Sequence, residues 1–515
     1  MAGSLGYGQT LALVARKYPN KIGFICGDKR YTYRQFDDRC NRLANVLLKL
    51  GLSKGHNIAT LFVSRMELME SYYGITKMGG VVVPLNFRLA PGEYVNLISH
   101  ADASAIIYEE LFQPLIDVIR PQLGAVRNYI CVGHKAEGIE NYEDLVQNSS
   151  SNEPDVEICD DDNAFMLYTA GTTGAPKGVI RTHKNQFIGA VNFASLPVSV
   201  LGPDIVWLSC PPAFHCASQE AIHSIMFVGG TNILAPLYRG FDPTDVLKII
   251  QEEKVVGAWA VPTMWMGLLG HSELDKYDLS SLRLVCNGGA IMPLPLKQEI
   301  MAKFPKVSFM DFFGMTEMNP WSCVLTGEDA LRKPDSVGRP CVTVDIRIWN
   351  ENCEEVPAGE VGEIVYSGLS VMKEYYKNPS ATQAAMTAGY FHSGDLVRQD
   401  EEGFIYVVDR KKDMIISGGE NVYPAEVEVV LLRHPKIQEA AVIGVPDPKW
   451  GESVKAIVKM KSDQAATEKD IIEYCRDNIA HYKAPKSVDF VTEFPVSSTG
   501  KVLKRELRKK YGPGY

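Results

Sequence analysis

The sequence predicts an α/β fold: a large N-terminal domain of doubly wound α/β layers plus a small β-barrel or sheet layer, followed by a small mobile α+β C-terminal domain. Three observations predict it. Short apolar runs alternate with helical segments from residue 58 onward, the rhythm of a parallel sheet. From about residue 338 to 406 the rhythm changes to brief β runs separated by Pro-Ala-Gly-Glu and Glu-Glu-Gly-Phe turns. A charged tetrapeptide, Asp409-Arg410-Lys411-Lys412, then follows a strand and marks a boundary, giving domains 1–410 and 411–515.

The elements follow in order. Residues 21–34 read as a hairpin, with Phe24-Ile25-Cys26 as a strand, Gly27-Asp28 as its turn and a return through Tyr31. Thr32 and Gln35 form a capping-box pattern. The helix it opens places Phe36, Cys40, Leu43, Leu47 and Leu50 on one apolar stripe, closed by Gly51, and that stripe is a core face without further role. A strand over 58–63, a helix over 66–78, a Gly79-Gly80 stop and a strand over 81–84 come next. Apolar runs at 206–210, 231–234, 256–261 and 283–286 continue the pattern. Beyond the boundary lie a helix from Pro424, strands at 440–445 and 454–460, a helix near Ile471, and a basic tail over 504–510 read as solvated.

At 515 residues the chain exceeds one ordinary core, and 46% hydrophobic with 22% charged residues is a globular composition. A net charge of -9 disfavours nucleic-acid backbone binding, which wants a basic face, and leaves a small anionic ligand compatible. The 11 cysteines form no C-x-x-C pair and no Cys/His cluster at zinc spacing, as expected of thiols in a reducing compartment. With no basic-then-apolar start and no run long enough to span a bilayer, a soluble cytoplasmic protein is expected.

The most informative stretch is Leu167-Tyr168-Thr169-Ala170-Gly171-Thr172-Thr173-Gly174-Ala175-Pro176-Lys177-Gly178-Val179. Its glycines let backbone N–H groups approach an anion, Thr169, Thr172 and Thr173 add neutral donors, and Lys177 adds a point charge, so it reads as a loop that holds phosphate. The spacing matches neither the P-loop nor G-x-G-x-x-G, which places a nucleotide site in another class. As a whole word it closely resembles the phosphate loop of the adenylate-forming superfamily of acyl-CoA synthetases, adenylation domains and luciferase. One departure is Ala170, where most members carry serine.

Further words in the family's order extend the resemblance over nearly the whole chain. Phe312-Phe313-Gly314-Met315-Thr316-Glu317 offers an aromatic face, a glycine, a hydroxyl and a carboxylate, and a carboxylate can hold Mg2+ beside phosphates. The resemblance implies Phe313 against the base with Gly314 beside it, Thr316 near the α-phosphate and Glu317 as the magnesium ligand. Asn287-Gly288-Gly289-Ala290 resembles the segment that lies along adenine, with Gly288, Gly289 and Ala290 as its contacts. Asp395, in Gly394-Asp395-Leu396, matches the aspartate that accepts the ribose hydroxyls. Arg410 would reach the ribose or phosphates, Lys412 would be the hinge of the C-terminal domain, and Gly418 and Gly419 would line the pantetheine tunnel of coenzyme A. Lys501, after Ser497-Ser498-Thr499-Gly500, matches the catalytic lysine that bridges acyl carboxylate and α-phosphate. His215 matches a histidine near the acyl entrance.

The resemblance thus implies an AMP-forming acid-thiol ligase using ATP, Mg2+ and coenzyme A, with an acyl-adenylate intermediate and no side-chain nucleophile. Its alternatives are loading of a separate carrier protein and a nucleotide-binding homologue without catalysis. The expected partners are a small carboxylic acid, ATP and coenzyme A, with a homodimer as the assembly to test and no nucleic acid. The words Pro-Ala-Phe-His and Lys-Pro-Asp-Ser-Val-Gly-Arg-Pro look like the crotonobetaine/carnitine-CoA ligase branch. With Gln219, Thr263 and Trp321 expected at the acyl pocket, that suggests a short, medium, unsaturated or aryl-propenoic acid rather than a very long chain.

Overall fold

Two mostly parallel sheets form the first part of the chain. The computed structural model describes residues 6–133, 136–169, 176–290, 292–417, 420–496 and 502–511. The chain separates into two compact units, one of residues 1–346 with 366–391 and one of 347–365 with 392–515.

In the first unit the hairpin Ile22–Cys26/Lys29–Thr32 sits at one edge of a nine-stranded sheet. Moving inward, Thr231–Leu234, Val206–Ser209, Gly257–Trp259, Leu284–Gly288 and Ser308–Met315 run parallel to one another. Asn319–Thr326 turns back antiparallel on the last of these. The second sheet has eight strands: Asn57–Leu61, Val81–Pro84, Ala103–Glu109 and Asn128–Val132 pair in parallel, and Asn163–Thr169 joins through Val81–Pro84. Lys177–Thr182 folds back on Asn163–Thr169, and Glu374–Tyr375 adds a short antiparallel edge to it. Both sheets are thus the doubly wound layers that the strand–helix rhythm predicts.

Helix Tyr33–Lys49 carries the capping box of Thr32 and Gln35 and buries Phe36, Cys40, Leu43 and Leu47, as its stripe requires. Helices Met66–Lys77 and Cys216–Phe227 have no such stripe: all of the first and all but the last residue of the second are buried. A helix buried all round lies inside the protein. One apolar cluster joins Phe24 and Leu234 of the first sheet, Ile58, Ala105 and Phe165 of the second, and Met69, Tyr72, Ile222 and Met226 of these helices. The charged Lys77 enters this interior with partners: its ammonium meets Asp37 at 2.8 Å and Asn41 at 2.7 Å.

In the second unit, strands Asp345–Trp349, Val361–Ser367, Tyr390–Gln399 and Ile405–Arg410 form the small β layer expected after residue 338. A further sheet orders Glu420–Val422, Ile415–Ser417, Gly451–Met460 and Ile437–Asp447, with Ser487–Phe490 parallel to Gly451–Met460. Helices Pro424–Arg433 and Glu468–Asn478 supply Val427, Leu431, Ile471 and Cys475 to its core. The terminal helix Lys504–Tyr511 is not the freely solvated basic tail read from its composition. Lys504 pairs with Glu428 at 2.8 Å and Arg508 with Asp413 at 2.7 Å, both basic side chains being less than one-fifth exposed. Among the described residues no helix is long and apolar enough to cross a membrane.

At the centre of the first unit, Tyr7 donates its backbone N–H to His183 Nδ1 at 3.1 Å and stacks on His223 at 3.9 Å. Burial pushes His183 down to about 4 and His223 down to about 3, so both are neutral in the folded protein. The unfolded chain takes up these protons near the ordinary value of about 6.5, so stability is complete above that pH and is lost as pH falls toward the folded values. Urea midpoints should show a loss of about 2 kcal/mol per histidine between pH 7 and pH 5, and His223→Gln should remove its share. A pH-independent midpoint across that window would contradict this.

Candidate active site

Strand alternation divides the two phenylalanines before the Thr316-Glu317 turn. Phe312 turns inward against Trp321 at 4.5 Å, while Phe313 is half-buried on the other side. Met315 and Asn319 pair across the hairpin, leaving Thr316, Glu317 and Met318 in a tight loop. Gly314 serves that loop directly: a Cβ there would stand 2.5 Å from the Pro320 carbonyl oxygen and 2.7 Å from that of Asn319. Asn319 closes the loop at φ +88°, a conformation that Asn tolerates better than other side chains. The sequence offers Gly314 as a nucleotide contact, and the structure supplies a packing reason for it.

The Glu317 carboxylate is 8% exposed and accepts a hydrogen bond from the Tyr375 hydroxyl at 3.0 Å. The Glu317 carbonyl accepts the Met372 N–H at 2.7 Å, so the 372–375 segment grips this residue twice. Tyr375 pairs with Val179 on the strand Lys177–Thr182, and the Lys177 ammonium lies 4.6 Å from the centre of its ring. Tyr375 therefore stands between two residues singled out from sequence, and burial with the neighbouring Glu317 charge keeps its phenol protonated. Nothing local in Lys373-Glu374-Tyr375-Tyr376-Lys377 announces this; the signal lies in a contact 58 residues away. Thr169 and Lys177 are register partners at the ends of their strands. Ala170, Gly171, Thr172, Thr173 and Gly174 lie outside the described residues.

Thr316 Oγ1 is 3.4 Å from Cys216 Sγ, and the His215 Nδ1 is 3.8 Å from the same sulfur. His215 caps helix Cys216–Phe227, its Nδ1 accepting the Ala217 N–H at 3.4 Å. Burial raises the Cys216 thiol, yet His215, Thr316 and Arg181 outweigh it and leave the thiol below its ordinary value. His215 and Thr316 are thus neighbours, as a shared site requires.

Gly289, at φ +80°, and Ala290 are exposed at the end of Leu284–Gly288, whereas Gly288 is buried against the Trp259 ring. Asn287 fixes the turn, donating to the Ala290 carbonyl at 3.1 Å and to Asp311 at 2.6 Å. Two acyl-pocket expectations change. Trp321 is wholly buried among Phe193, Trp259 and Phe312 as a core tryptophan, and Gln219 is wholly buried with its amide donating to the Tyr7 hydroxyl at 3.2 Å. Thr263 is exposed.

In the second unit Asp395 and Arg410 face each other across paired strands, with Nε to Oδ1 at 2.5 Å. The turn before Asp395 is built by Glu363, which accepts the Gly394 N–H at 2.9 Å and meets His392 at 3.1 Å and Lys411 at 3.0 Å. Burial alone would raise the Glu363 carboxyl, but these donors hold it below the usual carboxylate range. Lys412 is exposed in the turn closed by Asp413 N–H to Arg410 carbonyl at 2.9 Å; partial desolvation pushes its ammonium down, and Arg410, Arg508 and Arg505 add to that. Ser417 and Glu420 pair on either side of Gly418 and Gly419, and Val496 with Val502 on either side of Lys501; all three sequence-assigned residues lie outside the described ones. Among the described residues no cluster of three or more His, Cys, Asp or Glu could hold a metal.

Comparison with known proteins finds relatives over nearly the whole chain. Residues 11–376 match the AMP-binding enzyme family and residues 426–501 the AMP-binding enzyme C-terminal domain. The chain is 38% identical over 487 residues to the long-chain-fatty-acid–CoA ligase FadD13 of Mycobacterium tuberculosis, covering 94% of each. It is 36% identical over 499 residues to a feruloyl-CoA synthase of Amycolatopsis sp., covering 97% of each. Among solved structures it resembles the o-succinylbenzoate CoA synthetase of Bacillus subtilis in complex with its acyl-adenylate, at 30% identity and a TM-score of 0.84 over 97% of each chain.

The grip on Glu317 sets an expectation. A hydrogen bond to a charged group contributes roughly 1.5–3 kcal/mol, so Tyr375→Phe should cost at least about tenfold in turnover while calorimetric ATP affinity in Mg2+ weakens and the melting temperature barely moves. Unchanged turnover and unchanged Mg2+ dependence would remove Tyr375 from the site.

Proposed function

The chain belongs to the AMP-binding enzyme family and is an ATP-dependent acyl-CoA ligase working through an acyl-adenylate; from that premise we propose how its residues divide the work and which acid it takes. A carboxylate is a poor acyl donor because its leaving group would be oxide. Attack of its oxygen on the α-phosphorus of ATP breaks the bond to the bridging oxygen, releases pyrophosphate and leaves a mixed anhydride. The sulfur of coenzyme A then attacks the acyl carbonyl, and AMP leaves.

We assign Thr316 and the Thr169–Lys177 loop to the phosphates, Phe313 and the Gly288-Gly289-Ala290 turn to adenine, and Asp395 with Arg410 to the ribose side. Lys501 offsets negative charge between carboxylate and α-phosphate in the first step. Glu317 fits Mg2+, which takes one or two protein carboxylates and fills the rest of its shell with phosphate oxygens and water. When bound, the ion would neutralise phosphate charge. Support for this reading is the buried Glu317 carboxylate, which accepts a hydrogen bond from the Tyr375 hydroxyl at 3.0 Å on the strand that pairs with the phosphate-loop strand.

For the second step we place a pivot at Lys412, residues 1–410 binding ATP and acid and residues 411–515 bringing Gly418-Gly419 to the thiol and withdrawing Lys501. The Asp409 carboxylate spans this pivot, accepting the Ala425 N–H at 2.7 Å, and would have to let go. The 11 free thiols suit a reducing cytoplasm.

The acid we propose is a short, medium or aryl-propenoic monocarboxylate. One observation carries this: at the His215 turn, matched to the acyl entrance, polar groups gather, with His215 Nδ1 3.8 Å and Thr316 Oγ1 3.4 Å from Cys216 Sγ. An alkyl channel against such a turn would strand polar groups without water. AMP formation over C4 to C16 fatty, crotonobetaine-like, benzoic and cinnamic acids, with and without coenzyme A, tests it. Cinnamic-type or C4–C8 acids should exceed palmitate at least tenfold in kcat/KM with matching thioester; a palmitate optimum would overturn the assignment, and AMP without thioester would indicate a carrier-protein acceptor. Lys501→Ala should lower acyl-adenylate formation by about a hundredfold or more while ATP still binds and supplied acyl-AMP still yields thioester. Unchanged adenylation would defeat the role given to Lys501.

A further inference from the structure

Arg181, on the strand that leaves the phosphate loop, is fully buried, and none of its guanidinium nitrogens has a hydrogen-bond partner among the described residues. Its nearest carboxylate is Glu220, also fully buried, at 3.9 Å from Nη2. Neither Glu220 oxygen has a hydrogen-bond partner among the described residues. As a stabilising device this pair is poor: desolvating both ions costs several kcal/mol, and well-packed apolar residues commonly serve as well or better. The pair therefore calls for a reason other than stability.

Its surroundings supply one. Burial weakens the hold of Arg181 on its proton, and the groups whose negative charge opposes this are Glu220, Cys216 and Glu317. Cys216 Sγ is 3.4 Å from Thr316 Oγ1. On the other side, a Cβ on Gly189 would collide with both Glu220 Oε1 and Asn319 Nδ2, so the absence of a side chain there lets the two enter together. Asn319 in turn closes the Thr316-Glu317 loop in its positive-φ conformation and accepts the Trp321 N–H at 3.2 Å. Arg181 thus lies where the phosphate-loop strand, the His215 helix and the Thr316-Glu317 hairpin converge.

We infer that Arg181 is a positioning residue of the adenylation centre: a buried cation that, with Glu220, holds the Thr316-Glu317 loop in register with the phosphate-loop strand. It touches neither nucleotide nor acid in this role. The inference rests on Thr316 and Glu317 acting as proposed above.

The test compares ATP–pyrophosphate exchange, melting temperature and calorimetric ATP affinity in the full chain, using the acid of the preceding panel that exchanges fastest. The variants are Glu317→Gln, Arg181→Met, Arg181→Lys and the double variant Arg181→Met/Glu220→Leu. Glu317→Gln reports on the underlying reading alone, which fails if exchange is undiminished. Arg181→Met should lower the exchange rate at least thirtyfold and Arg181→Lys should restore part of it, with KM for the acid changing less than threefold. The double variant removes the buried charges as a pair, so its melting temperature should return to that of the parent or above while exchange stays as slow as in Arg181→Met. If exchange recovers together with the melting temperature, the pair is merely structural and the inference falls.

Discussion

A carboxylate proposed to sit beside phosphates has to be fixed in place, and several elements of the first unit converge on Glu317. The Tyr375 hydroxyl donates a hydrogen bond to its carboxylate at 3.0 Å, and the Met372 N–H donates to its backbone carbonyl at 2.7 Å. These two contacts explain why a two-residue strand, Glu374–Tyr375, is added at the edge of a sheet otherwise complete. It ties the magnesium candidate to the strand that begins at Lys177. The tightness of the hairpin, with Gly314 against the backbone of Asn319 and Pro320, fixes the same carboxylate from its own chain.

Holding the site this way has a cost that the fold meets elsewhere. Two sheets share one apolar cluster, so the helices between them have no solvent face on which to place polar side chains. Those helices nevertheless carry polar groups, and some of these meet buried partners: Lys77 with Asp37, Gln186 with Gln219, Gln219 with Tyr7. Such interior networks favour a single arrangement, because any shift leaves a buried donor or acceptor unmatched. A rigid interior is what a site on strand ends needs, since first-contact residues are only as fixed as the groups behind them.

The features legible in sequence were those whose cause is local. The capping box of Thr32 and Gln35, the stripe of helix Tyr33–Lys49 and the strand–helix rhythm all depend on neighbours within a few residues, and each stands where the periodicity puts it. The motif words singled out Thr316 and His215, each in a short turn, and in the structure both lie against Cys216. What stayed hidden depends on pairing across long stretches. Tyr375 gains its role from a strand some two hundred residues earlier, and Glu363 braces the Asp395 turn from 31 residues away. Trp321 reads as a bulky pocket residue because its strand follows a motif, yet alternation along Asn319–Thr326 turns it into the core. Lys504 and Arg508 read as solvated because the sequence does not show that Glu428 and Asp413 lie opposite them.

The second unit obeys the opposite requirement. A site that runs two reactions needs two arrangements close in free energy, since a ligand can move an equilibrium only by its differential affinity for the two states. A backbone hydrogen bond, from the Asp413 N–H to the Arg410 carbonyl at 2.9 Å, crosses the proposed pivot directly. The Asp409 carboxylate spans the turn to the Ala425 N–H at 2.7 Å, a bond to a charged group contributing roughly 1.5–3 kcal/mol. Burial already raises the Asp409 carboxyl against the help of Lys504, so the bond is made at some expense. By contrast, the pairs that anchor helix Lys504–Tyr511, Lys504 with Glu428 and Arg508 with Asp413, lie wholly on the far side of Lys412 and need not break when the chain turns there. On the proposed pivot the terminal helix would be carried as part of the moving body. That division, with pairs kept on one side of the proposed pivot, is what the proposed withdrawal of one lysine between the two reactions would require.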